Sequence, residues 1–234
     1  MRPRVRLYCF SYAGGSATTF KSWQEHVDPA IEINAVQLPG RGARFRERPA
    51  TSTQEVVTTL TEVIQAQDPL PFALFGHSLG ALLAFELTHY CQQNHLPMPV
   101  HLFVSGCAAP RYRDPPSGFQ NMADERFIEV LKAYKGTPRE VLEHEELMQV
   151  LLPMLRADFT MADNYIHTAR QRLDIPMTVF AGTEDDRVSA KQIHGWRDEA
   201  GTTFATHWYA GDHFFINNER DRILGCVSEA LTGR

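Results

Sequence analysis

Ser78 lies in the five-residue stretch Gly76-His77-Ser78-Leu79-Gly80. A serine flanked by glycines two positions before and after suits a nucleophile on a very tight strand-to-helix turn. The small residues let the strand and helix backbones approach closely. The flanks agree: "PFALF" is a short buried strand pattern, and "ALLAFEL" is the start of an apolar helix. A serine that only caps a helix N-terminus is the competing reading, and the strand directly ahead of Ser78 weighs against it. The chemistry such a serine performs is attack on a carbonyl carbon.

A serine hydroxyl is a weak nucleophile without a base. The chain has ten histidines, and the order that accompanies this elbow is serine, acid, histidine. His77 is adjacent to Ser78, so its side chain diverges from the hydroxyl. His89, His95 and His101 lie on or just after the helix that follows, and His144 and His167 lie in a long strandless segment. His207 falls inside the last strand pattern. His213, in "YAGDHFFI", directly follows it and is the expected base. The acid should follow the preceding strand, and Gly182-x-x-Asp185-x-x-Val188 fits, with Val188 packing back. Asp186 is the nearest rival, with a solvated turn or a helix cap as its other reading. Asp212 cannot easily reach His213 Nδ1, and the first acid after "VHLFVSG" is the distant Asp114. An oxyanion needs two preorganised N–H donors. Leu79 supplies one from the helix start, and the "SYAGG" loop supplies the other, with Ala13 ahead of Tyr12.

These residues need a scaffold. Strand patterns ("VRLYCFSYA", "IEINAVQL", "PFALFG", "VHLFVSG", "PMTVFAG", "TTFATHWYAG") alternate with helix patterns. The latter include "SATTFKSWQEHV", "STQEVVTTLTEVIQAQ", with Ser52 or Thr53 as its cap, and "DRILGCVSEAL". This alternation predicts an α/β fold with a mostly parallel sheet. Between Cys107 and Asp174 the rhythm breaks. A Pro- and Arg-rich loop leads to "ADERFIEVLKAYKG", with Gly136 as its stop. A longer helical stretch follows, which Pro153 should kink or divide. Residues from about 108 to 174 therefore read as a helical lid inserted into one domain spanning 1–234. Phe119, Met122, Phe127, Met154, Phe159 and Met161 are candidates to line an apolar pocket under it, against ordinary lid packing for each.

Composition narrows the function classes. The 234 residues carry 23 Lys and Arg against 28 Asp and Glu, a net charge of −5 that argues against nucleic-acid binding. The N-terminal apolar run is too short for a signal peptide, and no stretch approaches the roughly 18 apolar residues of a membrane span. A cytoplasmic monomer is expected, free of membrane, metal and cofactor. The cysteines (Cys9, Cys91, Cys107, Cys226) have no metal-ligand spacing and read as free thiols.

Taken together, "FSYAGGSATTFKSW", "VQLPGRGARFRE", "FGHSLGALLAFEL", "VSGCAAP", "LLPMLRADFTMADNY", "VFAGTEDDRV" and "GDHFFI" resemble the type II thioesterases of polyketide and nonribosomal peptide pathways. "QLPGRGAR" and "LLPMLRADF" are more telling than the elbow, because generic esterases lack them. The resemblance implies an α/β-hydrolase fold and a discrete enzyme. Such enzymes clear stalled or mis-primed acyl groups from the phosphopantetheine arm of a carrier protein. It places the catalytic roles on Ser78, Asp185 and His213 and the oxyanion donors on Ala13 and Leu79. Many relatives have Met where this chain has Leu79 and Pro where it has Asp186; the second difference leaves Asp186 a rival to Asp185. A medium-chain fatty-acyl carrier thioesterase shares the motifs. A carboxylesterase or lipase is weakened by the lack of an HGGG-type loop and of a secretion signal. A macrocyclising domain is weakened by a chain opening at Met1 without a linker, and a binding-only hydrolase fold by the intact Ser-acid-His set. Arg41, Arg44, Arg46 and Arg48, joined in sequence terms by Arg111 and Arg113, form a candidate docking cluster for an acidic carrier. Pairing with Glu47 and Asp114 is its alternative.

Overall fold

The computed structural model describes residues 2–233. Six strands, β1 (Val5–Phe10), β2 (Ile31–Ala35), β3 (Phe72–His77), β4 (Leu102–Ser105), β5 (Met177–Gly182) and β6 (Phe204–Tyr209), form one sheet in the order β2-β1-β3-β4-β5-β6. Every pairing is parallel. β3, β4 and β5 are buried along their whole length, as strands covered on both faces must be. Side chains alternate between two cores. Tyr8, Phe10, Phe72 and Leu74 face α1 (Thr53–Gln65) and α2 (Leu79–Gln93). Leu7, Cys9, Ala73 and Phe75 face Phe20, Trp23 and the C-terminal helix.

β2 lies on one side of β1, and β3 to β6 continue on the other. The strand order therefore reverses at β1. A crevice opens there, beyond the carboxyl ends of the strands, and it is the usual ligand position in such sheets. Ala13 follows β1 and Ser78 follows β3, its hydrogen-bonded neighbour.

Between β4 and β5 the chain makes α3 (Asp124–Tyr134), α4 (Arg139–Leu142) and α5 (Glu145–Asp163). This lid has a core of its own, in which Phe127, Leu131, Met148, Met154, Leu155 and Phe159 meet. Its entry is fixed by Asp163, whose carboxylate accepts the N–H groups of Ser117, Gly118 and Phe119 at 2.7, 2.8 and 3.2 Å. After β5 come α6 (Ala190–His194), then β6, α7 (Phe215–Asn218) and α8 (Arg220–Thr232).

Some local expectations change. "SATTFKSWQEHV" forms two 3-10 turns, Ala17–Phe20 and Trp23–Glu25, rather than an α-helix. Phe20 and Trp23, three apart, both bury against Phe75, and a three-residue turn aligns that spacing. Pro153 neither divides α5 nor ends it. Apolar anchors lie on both sides of it, Met148 before and Met154 and Leu155 after, and this packing outweighs the lost hydrogen bond. The break falls earlier, at His144, whose Nδ1 accepts the Leu147 N–H. α3 stops on Lys135 in the left-handed region (φ 55°), one residue before Gly136. Of the two candidate caps of α1, Ser52 accepts the Glu55 N–H.

Two structural histidines bear on acid stability. His101 stacks on Phe103 with ring centroids 4.1 Å apart and hydrogen-bonds the Thr178 hydroxyl at 2.9 Å. Burial pushes its pKa down to about 4. Burial does the same to His89, with help from the nearby Arg170 charge. In the unfolded chain both protonate near pH 6.5, so the folded state binds fewer protons between there and pH 4 and loses stability as pH falls. Replacing His101 by Phe should remove about 1.4 kcal/mol per pH unit from that slope. Urea unfolding at pH 6.5, 5.5 and 4.5 measures it, and an unchanged slope would refute the assignment.

Candidate active site

Ser78 has φ 56° and ψ −117°, a conformation that L-residues rarely adopt. Such strain costs on the order of 1–3 kcal/mol and persists only where the surroundings over-determine it. Here they do. The Ser78 N–H donates to the Ser105 carbonyl on β4 at 2.8 Å, and the Ser78 carbonyl accepts from Ala81 N–H at 3.0 Å. A Cβ on Gly76 would stand 2.1 Å from the Gly80 carbonyl oxygen, and one on Gly80 would stand 2.1 Å from the Phe10 carbonyl oxygen. Both elbow glycines are therefore sterically required. The turn leaves Ser78 facing the crevice, and the Leu79 N–H stands at the first position of α2, where a helix donor has no intrahelical partner.

His213, on the loop after β6, donates from Nδ1 to Asp185 Oδ2 at 2.8 Å. The second Asp185 oxygen accepts the Arg187 N–H at 2.9 Å, so the carboxylate is held at both ends. The Asp185 side chain is 2% exposed, whereas that of Asp186 is 85% exposed and turned towards solvent beside Arg187. The structure thus brings Asp185, and not its rival, to the histidine. Arg187 also reaches the lid. Its guanidinium lies over the Tyr134 ring at 3.9 Å and donates to the Ala133 carbonyl at 3.0 Å.

His77 points away from Ser78 into the interior, where its Nδ1 hydrogen-bonds the Ser105 hydroxyl at 2.9 Å. Its ring lies 5.1 Å from that of His213. Burial, reinforced by the His213 charge, holds it well below the ordinary histidine range. It is a neutral floor beneath the catalytic-type histidine. His207, on β6, is exposed, with its Nε2 3.6 Å from Cys226 Sγ.

Tyr12, Ala13, Gly14 and Gly15 make a tight turn after β1, closed by Gly15 N–H donating to the Tyr12 carbonyl at 2.8 Å. Gly14 has φ +81°, which a type II turn requires at its third position. Ala13, Leu79, Ser78 and His213 line one pocket of about 200 Å³. Its apolar wall comes from Leu82, Phe119, Leu131, Tyr134 and Phe159. Of the predicted lid residues, Phe119 and Phe159 reach the pocket. Phe127 and Met154 are spent in the lid core and Met161 in the main core, while Met122 packs against the lid core from its edge.

The predicted arginine cluster does not form as such. Arg44 is paired with Glu47, and Arg113 donates to the Ala162 carbonyl. Arg111 lies 3.7 Å from the buried Glu199. Arg41 is buried against Asp158 of α5, a contact that the sequence reading missed. The available signal was Asp158 itself, a carboxylate on the buried stripe with Met154, Leu155 and Met161, which demands a buried partner.

The thioesterase domain family matches residues 5–231. The chain belongs to that family. The Gramicidin S biosynthesis protein GrsT of Aneurinibacillus migulanus is 40% identical over 228 residues, covering 97% of this chain and 89% of GrsT. The crystal structure of ClbQ from the colibactin NRPS/PKS pathway superposes with a TM-score of 0.91 at 29% identity, covering 98% of each chain. The type II thioesterase BorB from the borrelidin biosynthetic cluster gives a TM-score of 0.87 at 32% identity, covering 98% of this chain and 95% of BorB. The fold is that of the α/β-hydrolase thioesterases, and this thioesterase carries its nucleophile-type serine at the sheet's switch point.

Two substitutions separate the acids. Asp185→Asn should lower kcat by about 10⁴, because the amide no longer fixes the His213 tautomer. Asp186→Asn should leave kcat near that of the parent. Steady-state hydrolysis of a short acyl thioester reads both, and a reversed pattern would move the acid to Asp186.

Proposed function

We propose that this thioesterase hydrolyses acyl or aminoacyl groups from the phosphopantetheine arm of carrier proteins, clearing stalled or aberrant groups in nonribosomal peptide or polyketide assembly. The observation that carries this reading is convergence. Ser78, Ala13, Leu79 and the His213 of the His213–Asp185 pair line one lid-covered pocket with an apolar wall. The similarity to GrsT, ClbQ and BorB supports the pathway class.

In the proposed reaction His213 takes the Ser78 proton as Oγ attacks the thioester carbonyl carbon. Asp185 holds Nδ1–H and stabilises the imidazolium. The Ala13 and Leu79 N–H groups receive the oxyanion; one such donor is worth about 10²–10³ in rate. Collapse expels the pantetheine thiolate, which takes the proton from His213. Water then releases the acyl group from Ser78 by the same relay. A long, thin arm fits a slot between the lid and the sheet, and Phe119, Leu131 and Phe159 shape the acyl chamber. Arg46 and Arg48, exposed on the loop after β2, offer positive charge to an acidic carrier. We read the chain as one domain acting as a cytoplasmic monomer, with no metal or cofactor of its own.

Intact-mass analysis of carrier proteins loaded with short, long and aminoacyl groups tests the proposal. The wild type should return free phosphopantetheine arms, and Ser78→Ala should slow release by about 10⁶. Turnover confined to oxygen esters would overturn the reading.

A further inference from the structure

The two stretches that set this chain apart from generic esterases meet in space. Arg41 comes from "QLPGRGAR" and Asp158 from "LLPMLRADF", and their side chains are 6% and 1% exposed. The pair is bidentate: Arg41 Nη1 donates to Asp158 Oδ2 at 2.5 Å and Nη2 donates to Oδ1 at 2.7 Å. The remaining capacity on both sides goes to backbone. Asp158 Oδ2 accepts the Gly14 N–H at 2.8 Å. Arg41 Nη1 donates to the Gly15 carbonyl at 3.1 Å, and Nε and Nη2 reach the Pro39 carbonyl at 3.4 Å. A buried ion pair is weak evidence for stability, because desolvation offsets the attraction. A pair saturated in this way also has no group left for a ligand. What it does hold is the turn of Tyr12 to Gly15.

That turn is pinned at each point. Tyr12 carbonyl accepts from Gly15, Gly14 N–H is taken by the lid, and Gly15 carbonyl is taken by Arg41. Leu155, three residues before Asp158 on α5, closes over Gly14, where an added Cβ would meet its Cδ2 at 2.6 Å. Among the described residues the Ala13 N–H is left without a partner, and Ala13 lines the pocket with Ser78. We propose that Arg41 and Asp158 are positioning residues that set the oxyanion turn only when lid helix α5 is seated, so that lid docking and transition-state stabilisation are one event. The inference rests on the thioesterase reading and on Ala13 as an oxyanion donor.

The test is the double variant Arg41→Met/Asp158→Leu, which replaces the pair by apolar side chains of similar length and leaves no buried charge unpaired. Arg41→Leu/Asp158→Val, smaller and likewise uncharged, serves if the first double variant does not fold. Hydrolysis of an acyl-carrier thioester gives kcat and KM. Two carrier-arm analogues give affinities. In an acyl trifluoromethyl ketone, Ser78 Oγ adds to the carbonyl carbon, its proton passes to His213 and the carbonyl electrons become the oxyanion. An acyl thioether mimics only the ground state. The folded variant should lose about 10²-fold in kcat and lose trifluoromethyl ketone affinity in parallel, with KM and thioether affinity held. An undiminished kcat overturns the inference. So does an equal fall in kcat and thioether affinity, which would mark general damage. A wild type that turns over no carrier thioester would instead overturn the functional reading, and this inference with it.

Discussion

Three backbones come within a Cβ's reach of one another where β1 ends, β3 ends and α2 begins. Gly76 against Gly80 and Gly80 against Phe10 leave no room for a side chain. The rest of the site hangs on this contact. It forces Ser78 into its strained turn and sets the Leu79 N–H at a helix start. It also places the loop after β1, with Ala13, directly beside the serine. The strain is held by the hydrogen bond from Ser78 N–H to the Ser105 carbonyl of β4, by that from Ala81 N–H to the Ser78 carbonyl, and by the central strands, which are buried on both faces.

Much of this was legible in the sequence because it is local. The elbow spacing, the strand ahead of it, the acid turn with Val188 behind it and the histidine after the last strand each occupy a few consecutive residues. Their order along the chain then fixes their order across the sheet. What escaped was of two kinds. One was geometry that packing decides against propensity, as in the 3-10 turns around Phe20 and Trp23 and the unbroken helix through Pro153. The other was long-range polar pairing. Arg41 looked like one of several surface arginines, and only the fold shows that its partner lies 117 residues away. Asp185 and Asp186 differ in sequence by one position and in the structure by burial, which a turn's twist controls and a motif does not.

The lid combines two kinds of attachment. Its own aromatic core, with Phe119, Phe127 and Phe159 in mutual contact, makes it a coherent body. Its links to the sheet domain are both apolar and polar: Met161 packs in the main core and Leu155 closes over Gly14, while Arg41 pairs with Asp158 beside the Tyr12–Gly15 turn and Arg187 meets Tyr134 and Ala133 beside Asp185. Those polar links sit on, or pin, the same short loops that carry Ala13 and Asp185.

The Arg187 contact carries a consequence for how such a chain diversifies. Arg187 is two residues from Asp185, and the lid residues that it grips belong to α3 and its end. Exchanging the lid alone would leave the Arg187 guanidinium stranded beside Asp185 and Arg41 without its partner beside the Tyr12–Gly15 turn. The lid, the "QLPGRGAR" loop and the turn holding Asp185 are therefore tied by direct contacts, although they lie far apart in the chain.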